Sequence, residues 1–269
     1  MKTKTRALVF YLPQYYPTPE NDEWWEKGFT EWTNVTKAKP LFPGHHQPNL
    51  PSELGFYDLR LPEIREQQAE LAKTHGIEGF IYWHYWFGNG KRLLDRIFKE
   101  VLESKKPDFP FCLSWANETW KGIWHGMGDQ PLAEQLYPGI EDYTAHFYEV
   151  LPAFKDPRYI RVHNKPLFMI YRIIGFEDAE IFIELWQKLA KENGLEGIYF
   201  VGQVFDYRRI DEVLKRGVDA VNELRLNEIQ RYEKKPNFSL REKIILALKK
   251  IPADIPKYDY KNVIKYLTG

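Results

Sequence analysis

Six short apolar runs, each followed by a stretch of mixed apolar and charged residues, set the rhythm of the first 224 residues. Ala7–Tyr15, Gly79–Phe87 (GFIYWHYWF), Phe109–Asn117, Leu167–Arg172 (LFMIYR), Ile198–Val204 and Val218–Leu224 are rich in strand formers. Their near-continuous apolar character is that of strands buried on both faces. Between them, Leu61–His75, Leu93–Ser104, Tyr143–Phe154, Ala179–Asn193 and Tyr207–Arg216 read as helices. Pro62 lies in the first turn of one, and Gly76 and Gly194 stand where two of them stop. Strands alternating with helices predict a parallel sheet with helices outside, an α/β chain of the (β/α)8 TIM-barrel type with about six of its units visible.

Residues 1–224 are expected to form this partial barrel, and residues 225–269 a basic helical or irregular extension of the same domain. The extension holds no comparable strand. It carries eleven Lys/Arg against five Asp/Glu, a net charge of +6 that leaves −6 on residues 1–224. Ser239-Leu240-Arg241-Glu242 is a capping-box pattern. The helix it opens aligns Leu240, Ile244, Ile245, Leu248 and Ile251 along one side. A basic amphipathic helix can lie on an anionic membrane, but the expectation here is a solvated helix docked by its apolar face, without membrane contact.

One long segment breaks the rhythm. Pro17–Leu59 (PTPENDEWWEKGFTEWTNVTKAKPLFPGHHQPNLPSELGFYDL) shows no clear period. Loops of this length are usually functional or disordered, and its aromatic content argues for order. Phe29–Asn34 is expected to cover the strand ends, with no local helix available to bury its rings.

Aromatic residues make up 16% of the chain, with nine Trp, seventeen Tyr and seventeen Phe. Indole and phenol groups need polar partners when buried, so a chain this rich in them is expected to display some, and flat apolar faces suit the C–H faces of sugar rings. The net charge is zero, which makes no general electrostatic bid for nucleic acid. A single cysteine, Cys112, excludes a disulfide framework and fits a reducing compartment. The N-terminal apolar run, Ala7–Leu12, is too short for a signal or a membrane span, so the chain reads as cytoplasmic.

Chemistry in parallel α/β folds gathers at the C-terminal ends of strands. Those ends carry Gln14-Tyr15, His84-Tyr85-Trp86, Trp115-Asn117-Glu118, Tyr171-Arg172, Gln203 and Asn222-Glu223. Alternation along the second strand separates Phe80, Tyr82, His84 and Trp86 from Ile81, Trp83, Tyr85 and Phe87. The first set has more polar groups and is expected to face the lumen. No HExxH, GxGxxG, P-loop or GxSxG motif occurs, and the histidines are not spaced as a ligand set; no metal or other cofactor is expected. Carboxylates among aromatics remain, the composition of glycosidic chemistry, which places two Asp/Glu beside the bond. Glu118, in the string SWANETW, pairs on paper with Glu223 or with Glu31 of the long segment.

The long strings FYLPQYYPTPENDEWWEKGFTEWTN, GFIYWHYWF, KPDFPFCLSWANETW, DPRYIRVHNKPLFMIYR and IYFVGQ resemble WbsX-type proteins, relatives of glycoside hydrolase family 99, over most of residues 7–224. WbsX-type proteins are associated with surface-polysaccharide genes and labelled glycosyltransferases. The hydrolase family implies a (β/α)8 fold and retaining endo-mannosidase chemistry with one carboxylate as base on the 2-hydroxyl and another as acid. Both families imply an Asn-Glu-Trp-x-Glu-Gly string late in the chain that supplies both carboxylates. This sequence has none; Glu23-Trp24-Trp25-Glu26 has the spacing but sits in the first loop. The resemblance therefore implies that the principal carboxylates lie outside this chain and that the chain is a fragment or split product.

On these readings Glu118 is the candidate catalytic residue, with orienting substrate the expected role. Tyr11, Gln14, Glu31, Trp32, Tyr82, His84, Trp86, Trp115, Asn117, Trp120, Tyr171, Arg172 and Gln203 are candidate substrate contacts. Three functions stay open: a glycan-active protein of hydrolase type, a glycosyltransferase acting on a surface-polysaccharide precursor, and a sugar-binding protein without catalysis. The expected partners are a glycan and, to complete the barrel, a second chain or another copy; nucleic acid is not expected.

Overall fold

The computed structural model describes residues 5–121, 131–224, 238–249, 261 and 263–265. All six expected strands are present: β1 (Leu8–Tyr11), β2 (Gly79–His84), β3 (Phe111–Trp115), β4 (Lys165–Ile170), β5 (Tyr199–Val204) and β6 (Ala220–Glu223). Each pairs in parallel with the next in sequence. Consecutive order without a reversal is the wall of a (β/α) barrel and not a doubly wound sheet, whose strand order switches direction. Among the described residues β1 and β6 each pair on one side only.

Helices fill the connections. In the first, α1 (Pro19–Trp24) and α2 (Glu31–Lys37) are short, and α3 (Pro62–Thr74) follows. Then come α4 (Arg96–Ser104), α5 (Ile140–Phe154), α6 (Ala179–Glu192), α7 (Ile210–Leu214) and α8 (Leu240–Leu248). The local helices α1 and α2 correct the expectation of a helix-free loop. Thr18 caps α1 by accepting from the Asn21 amide, Pro19 occupies the first turn, and Thr30 forms a capping box with Thr33 on α2. The segment is ordered as expected: Phe29 is buried, and the Trp32 indole donates to the Tyr57 carbonyl at 2.8 Å.

Register divides the side chains into two layers. Tyr11, Tyr82, Leu113, Phe168 and Phe200 share the helix-facing side, and His84, Trp115 and Ile170 continue it. Against this side pack Phe147 and Phe154 of α5 and Phe182 and Trp186 of α6, all fully buried. Gly202 on β5 lets α7 approach: a methyl there would stand 2.5 Å from Val213 Cγ1. Phe10, Trp83, Ser114, Met169 and Val201 occupy the opposite, lumen-facing side.

The extension corrects a second expectation. Helix α8 begins at the Ser239–Glu242 capping box, but Leu246 is its buried residue, while Leu240, Ile244 and Leu248 face outward. Phe238, just before it, packs edge-on against Phe42, and Lys249 donates to the Pro40 carbonyl. Ile251 lies outside the described residues. No described helix is long and apolar enough to cross a membrane.

Candidate functional site

At the C-terminal ends of β1, β2 and β3 lies a cleft of about 680 Å³. Its walls come from the turn after β1 (Leu12, Gln14), from α1 and α2 (Asn21, Trp24, Glu31) and from the segments after β2 and β3 (Tyr85, Glu118, Trp120). Sites form at this end because the strand carbonyls end there and the connecting loops, free of barrel packing, can carry variable side chains.

Its polar groups fall into two linked pairs. Gln14 Nε2 donates to Glu31 Oε1 at 2.6 Å, tying α2 to the end of β1. Across the cleft Glu118 meets Arg172: Nε donates to Oε2 at 2.6 Å, and Nη2 closes on the same oxygen. Both partners are about two-fifths exposed. The guanidinium lies over two rings, 4.5 Å from the centre of Phe205 and 5.0 Å from Tyr171.

Asn117 positions that pair. It is almost fully buried, and its Oδ1 accepts from the Arg172 amide at 2.7 Å while its Nδ2 donates to the Arg172 carbonyl and to the Tyr137 hydroxyl. A single amide side chain thus holds the residue after β3 against the residue after β4. This makes Asn117 a positioning residue and corrects its place among the substrate contacts.

Aromatics line the remainder. Trp120 packs edge-on against Tyr85 and Phe87, and Trp24 approaches it from α1 with ring centres 6.1 Å apart. Burial first, then the Glu31 carboxylate, raise the Tyr85 phenol far above its ordinary value. Burial and Glu31 raise Tyr15 as well, and burial and Glu118 raise Tyr171 against the opposing effect of Arg172. These phenols stay neutral at any physiological pH, so where they meet a ligand they act as uncharged hydrogen-bonding groups.

Of the candidate contacts, Gln14, Glu31, Glu118 and Trp120 line one cleft, and Tyr171 and Arg172 border it through Glu118. Five others face the helices. Tyr11 donates to Gln68 on α3, and Tyr82 packs on Phe98 of α4. His84 meets His146 of α5, Trp86 stacks on His146 and donates to Asp142, and Trp115 donates to the Trp86 carbonyl. The expected orientation of β2 is therefore reversed: Tyr82, His84 and Trp86 point outward, and Trp83 and Tyr85 point to the lumen and cleft. The reason is a partner on another element. His146 satisfies His84 inside the helix layer, so polar character does not mark the lumen face. Trp32 lies in the packing of the long segment, and Gln203 is buried beside Asn222.

Trp24, Asn21 and Tyr85 are cleft residues the sequence reading passed over. Thr18 and Pro19, just before the ENDEWW string, are a helix-start signal for α1, the helix that carries Asn21 and Trp24. Glu223 is exposed at the end of β6 and does not line the cleft. Among the described residues no group of three or more His, Cys, Asp or Glu could hold a metal ion.

The strands and helices form a (β/α) barrel wall with a carboxylate- and tryptophan-lined cleft at its strand ends. The family described as "Glycosyltransferase WbsX" matches residues 7–269, and the chain belongs to that family. Protein WxcX of Xanthomonas campestris pv. campestris strain B100, described as uncharacterized, is 41% identical over 192 residues, 71% of this chain and 27% of that protein. A solved structure described as a glycoside hydrolase-like protein covers 83% of this chain and 60% of its own, with a TM-score of 0.51 and 13% identity, a likeness of fold. The family 99 endo-α-mannosidase of Bacteroides thetaiotaomicron aligns over 81% of this chain and 61% of its own, with a TM-score of 0.49 and 18% identity. The chain spans about a quarter of the curated relative's length and three-fifths of these two structures.

Proposed function

We propose that this chain holds a glycan in the cleft at the ends of β1–β3, as the substrate-binding part of a carbohydrate-active protein of hydrolase-like build. One observation carries the reading: Glu31 and Glu118, from distant parts of the sequence, share a cleft with Gln14, Trp24, Tyr85 and Trp120. Sugars need both kinds of group, since carboxylates and amides bond hydroxyls and indole faces take up the apolar face of the ring.

Glu118 orients the sugar. Its Oε2 is committed to the guanidinium, and glycosidic bond cleavage needs two carboxylates acting as acid and base or nucleophile. A second chain or another copy set against β1 and β6, which among the described residues each pair on one side only, completes the barrel. The protein works in the cytoplasm on a surface polysaccharide or its precursor.

A transferase reading draws on the family's description. Against it, Lys121 is the sole cationic side chain lining the cleft among the described residues, little provision for a sugar-nucleotide diphosphate.

Calorimetric titration tests the proposal. A neutral mannotetraose, the sugar class implied by the sequence resemblance, is expected to bind, more weakly to Glu31→Gln and Trp120→Ala, and not to be hydrolysed. Binding unaffected by both substitutions would remove the cleft from the function. Turnover by residues 1–269 alone would return Glu118 to a catalytic role, and UDP- or GDP-sugar binding tighter than the oligosaccharide would favour transfer.

A further inference from the structure

We infer that helix α8 docks the chain on an anionic membrane surface, through an apolar ridge that faces outward between two cationic side chains. Docking through α8 does not depend on what the cleft binds.

Helical spacing builds the ridge. At about 3.6 residues per turn, Leu240, Ile244, Ala247 and Leu248 fall on one strip of α8. All four are exposed, Leu240 at 76%, Ile244 at 52% and Leu248 at 80%. The protein covers the other side, where Leu246 is fully buried and Ile245 half-buried. A helix that is apolar on both sides calls for apolar surroundings on both, and the described residues supply them on one. The contacts at the two ends of α8, Phe238 edge-on to Phe42 and Lys249 on the Pro40 carbonyl, are with the first connection and not with a strand. The ridge is therefore no part of the barrel wall's inner face.

Charge selects the occupant. Arg241 and Lys243 flank the ridge, one on each side, both exposed and neither in an ion pair among the described residues. Glu242, the one acid of α8, is turned back to Ser239, whose amide and hydroxyl both donate to it at 2.8 Å. The outward half of α8 thus presents aliphatic and cationic groups alone, within a segment, residues 225–269, of net charge +6. An anionic bilayer matches that division, since acyl chains take up the aliphatic ridge and lipid phosphates meet the cations. Arg and Lys stems are long enough to hold their charges at headgroup level while the ridge enters. A protein partner fits less well. Interface cores are depleted in Lys and enriched in aromatic residues and Met, and α8 has neither an aromatic residue nor Met. Nine residues are too few to cross the bilayer, so α8 lies along its surface.

The test is co-sedimentation of the full chain with vesicles, one set of phosphatidylcholine alone and one of phosphatidylcholine and phosphatidylglycerol in equal parts. The chain is expected to bind the anionic set at least about tenfold more tightly and to be released as salt rises. Leu240→Ser combined with Leu248→Ser is expected to weaken that binding at least about tenfold by removing the inserted groups. Arg241→Gln combined with Lys243→Gln is expected to do the same while leaving the weak binding to phosphatidylcholine unchanged. All four side chains are exposed, so melting temperature is expected to stay at the wild-type value and to show that the variants fold. Failure of the wild type to sediment with the anionic vesicles overturns the inference, as does equal binding to both sets. Either double variant within twofold of wild type overturns it too, by moving the contact off α8. If the chain instead ignores vesicles and self-associates in analytical ultracentrifugation, and the Leu240 and Leu248 changes abolish that association, the ridge is a contact between copies and the membrane reading falls.

Discussion

His84 on β2 and His146 on α5 face each other through Nε2 atoms 2.7 Å apart. One imidazole must donate and the other accept, so at least the accepting ring is neutral. Burial, reinforced by Arg92, pushes His84 down to about 3, and burial together with His84 holds His146 well below its ordinary value. Folded-state values below the unfolded value of about 6.5 mean that the unfolded chain takes up more protons under acid conditions. The pair's stabilising contribution is therefore full above about pH 6.5 and is lost as the pH falls toward the folded value. Thermal melting is expected to drop between pH 7 and pH 5 in the wild type and to vary less with pH in His84→Gln. Equal slopes in the two proteins would remove the pair as the source.

Asn117 offers a test of positioning. Replacing it with Ala strips partners from both backbone groups of Arg172 and from Tyr137. The expected cost is about 1–3 kcal/mol of stability, with glycan binding weakened through displacement of Arg172. Chemical denaturation and titration read the two effects; a stable Asn117→Ala variant with normal binding would contradict the assignment.

Glycine at 202 is expected to tolerate no side chain. Gly202→Ala places its methyl against Val213 and within 3.2 Å of Ile173 Cγ2. Overpacking of this kind costs about 1–3 kcal/mol, measurable by urea unfolding. A variant within 0.5 kcal/mol of wild type, the roughly neutral range, would mean that α7 shifts freely.

The first connection is expected to resist protease. Phe29 is buried, and Trp32 packs on Tyr15, Phe56 and Tyr57. Limited proteolysis should spare residues 24–42 in the wild type and cut there in Trp32→Ala. Rapid cutting of the wild type would show that the segment does not hold the cleft wall in place.

The barrel wall was legible in the sequence because six apolar runs and their intervening helices each carry their own periodicity. The first three strands end two to four residues earlier than their apolar runs, since runs such as Ala7–Tyr15 continue past the last parallel partner into cleft-forming turns. The site was half legible. Gln14, Glu31, Glu118 and Trp120 could be named from their place after strands, but the side on which β2 shows its residues could not. That side is decided by His146, sixty-two residues away from His84, and no local pattern in GFIYWHYWF encodes a partner on α5. For the same reason Trp83, set apart from the residues expected in the lumen, stands on the lumen-facing side stacked on Phe10.

The Asn117 tether has a consequence for how quickly a ligand can be accepted. Because one side chain bonds both the amide and the carbonyl of Arg172, the ends of β3 and β4 are joined by side-chain hydrogen bonds as well as by the sheet ladder. A sugar arriving beside Glu118 and Arg172 therefore meets backbone that is already held in place. Association at this place should follow simple one-step kinetics, limited by encounter and by the shedding of water, and any slow phase would have to originate across the cleft, where α1 and α2 rest on the end of β1.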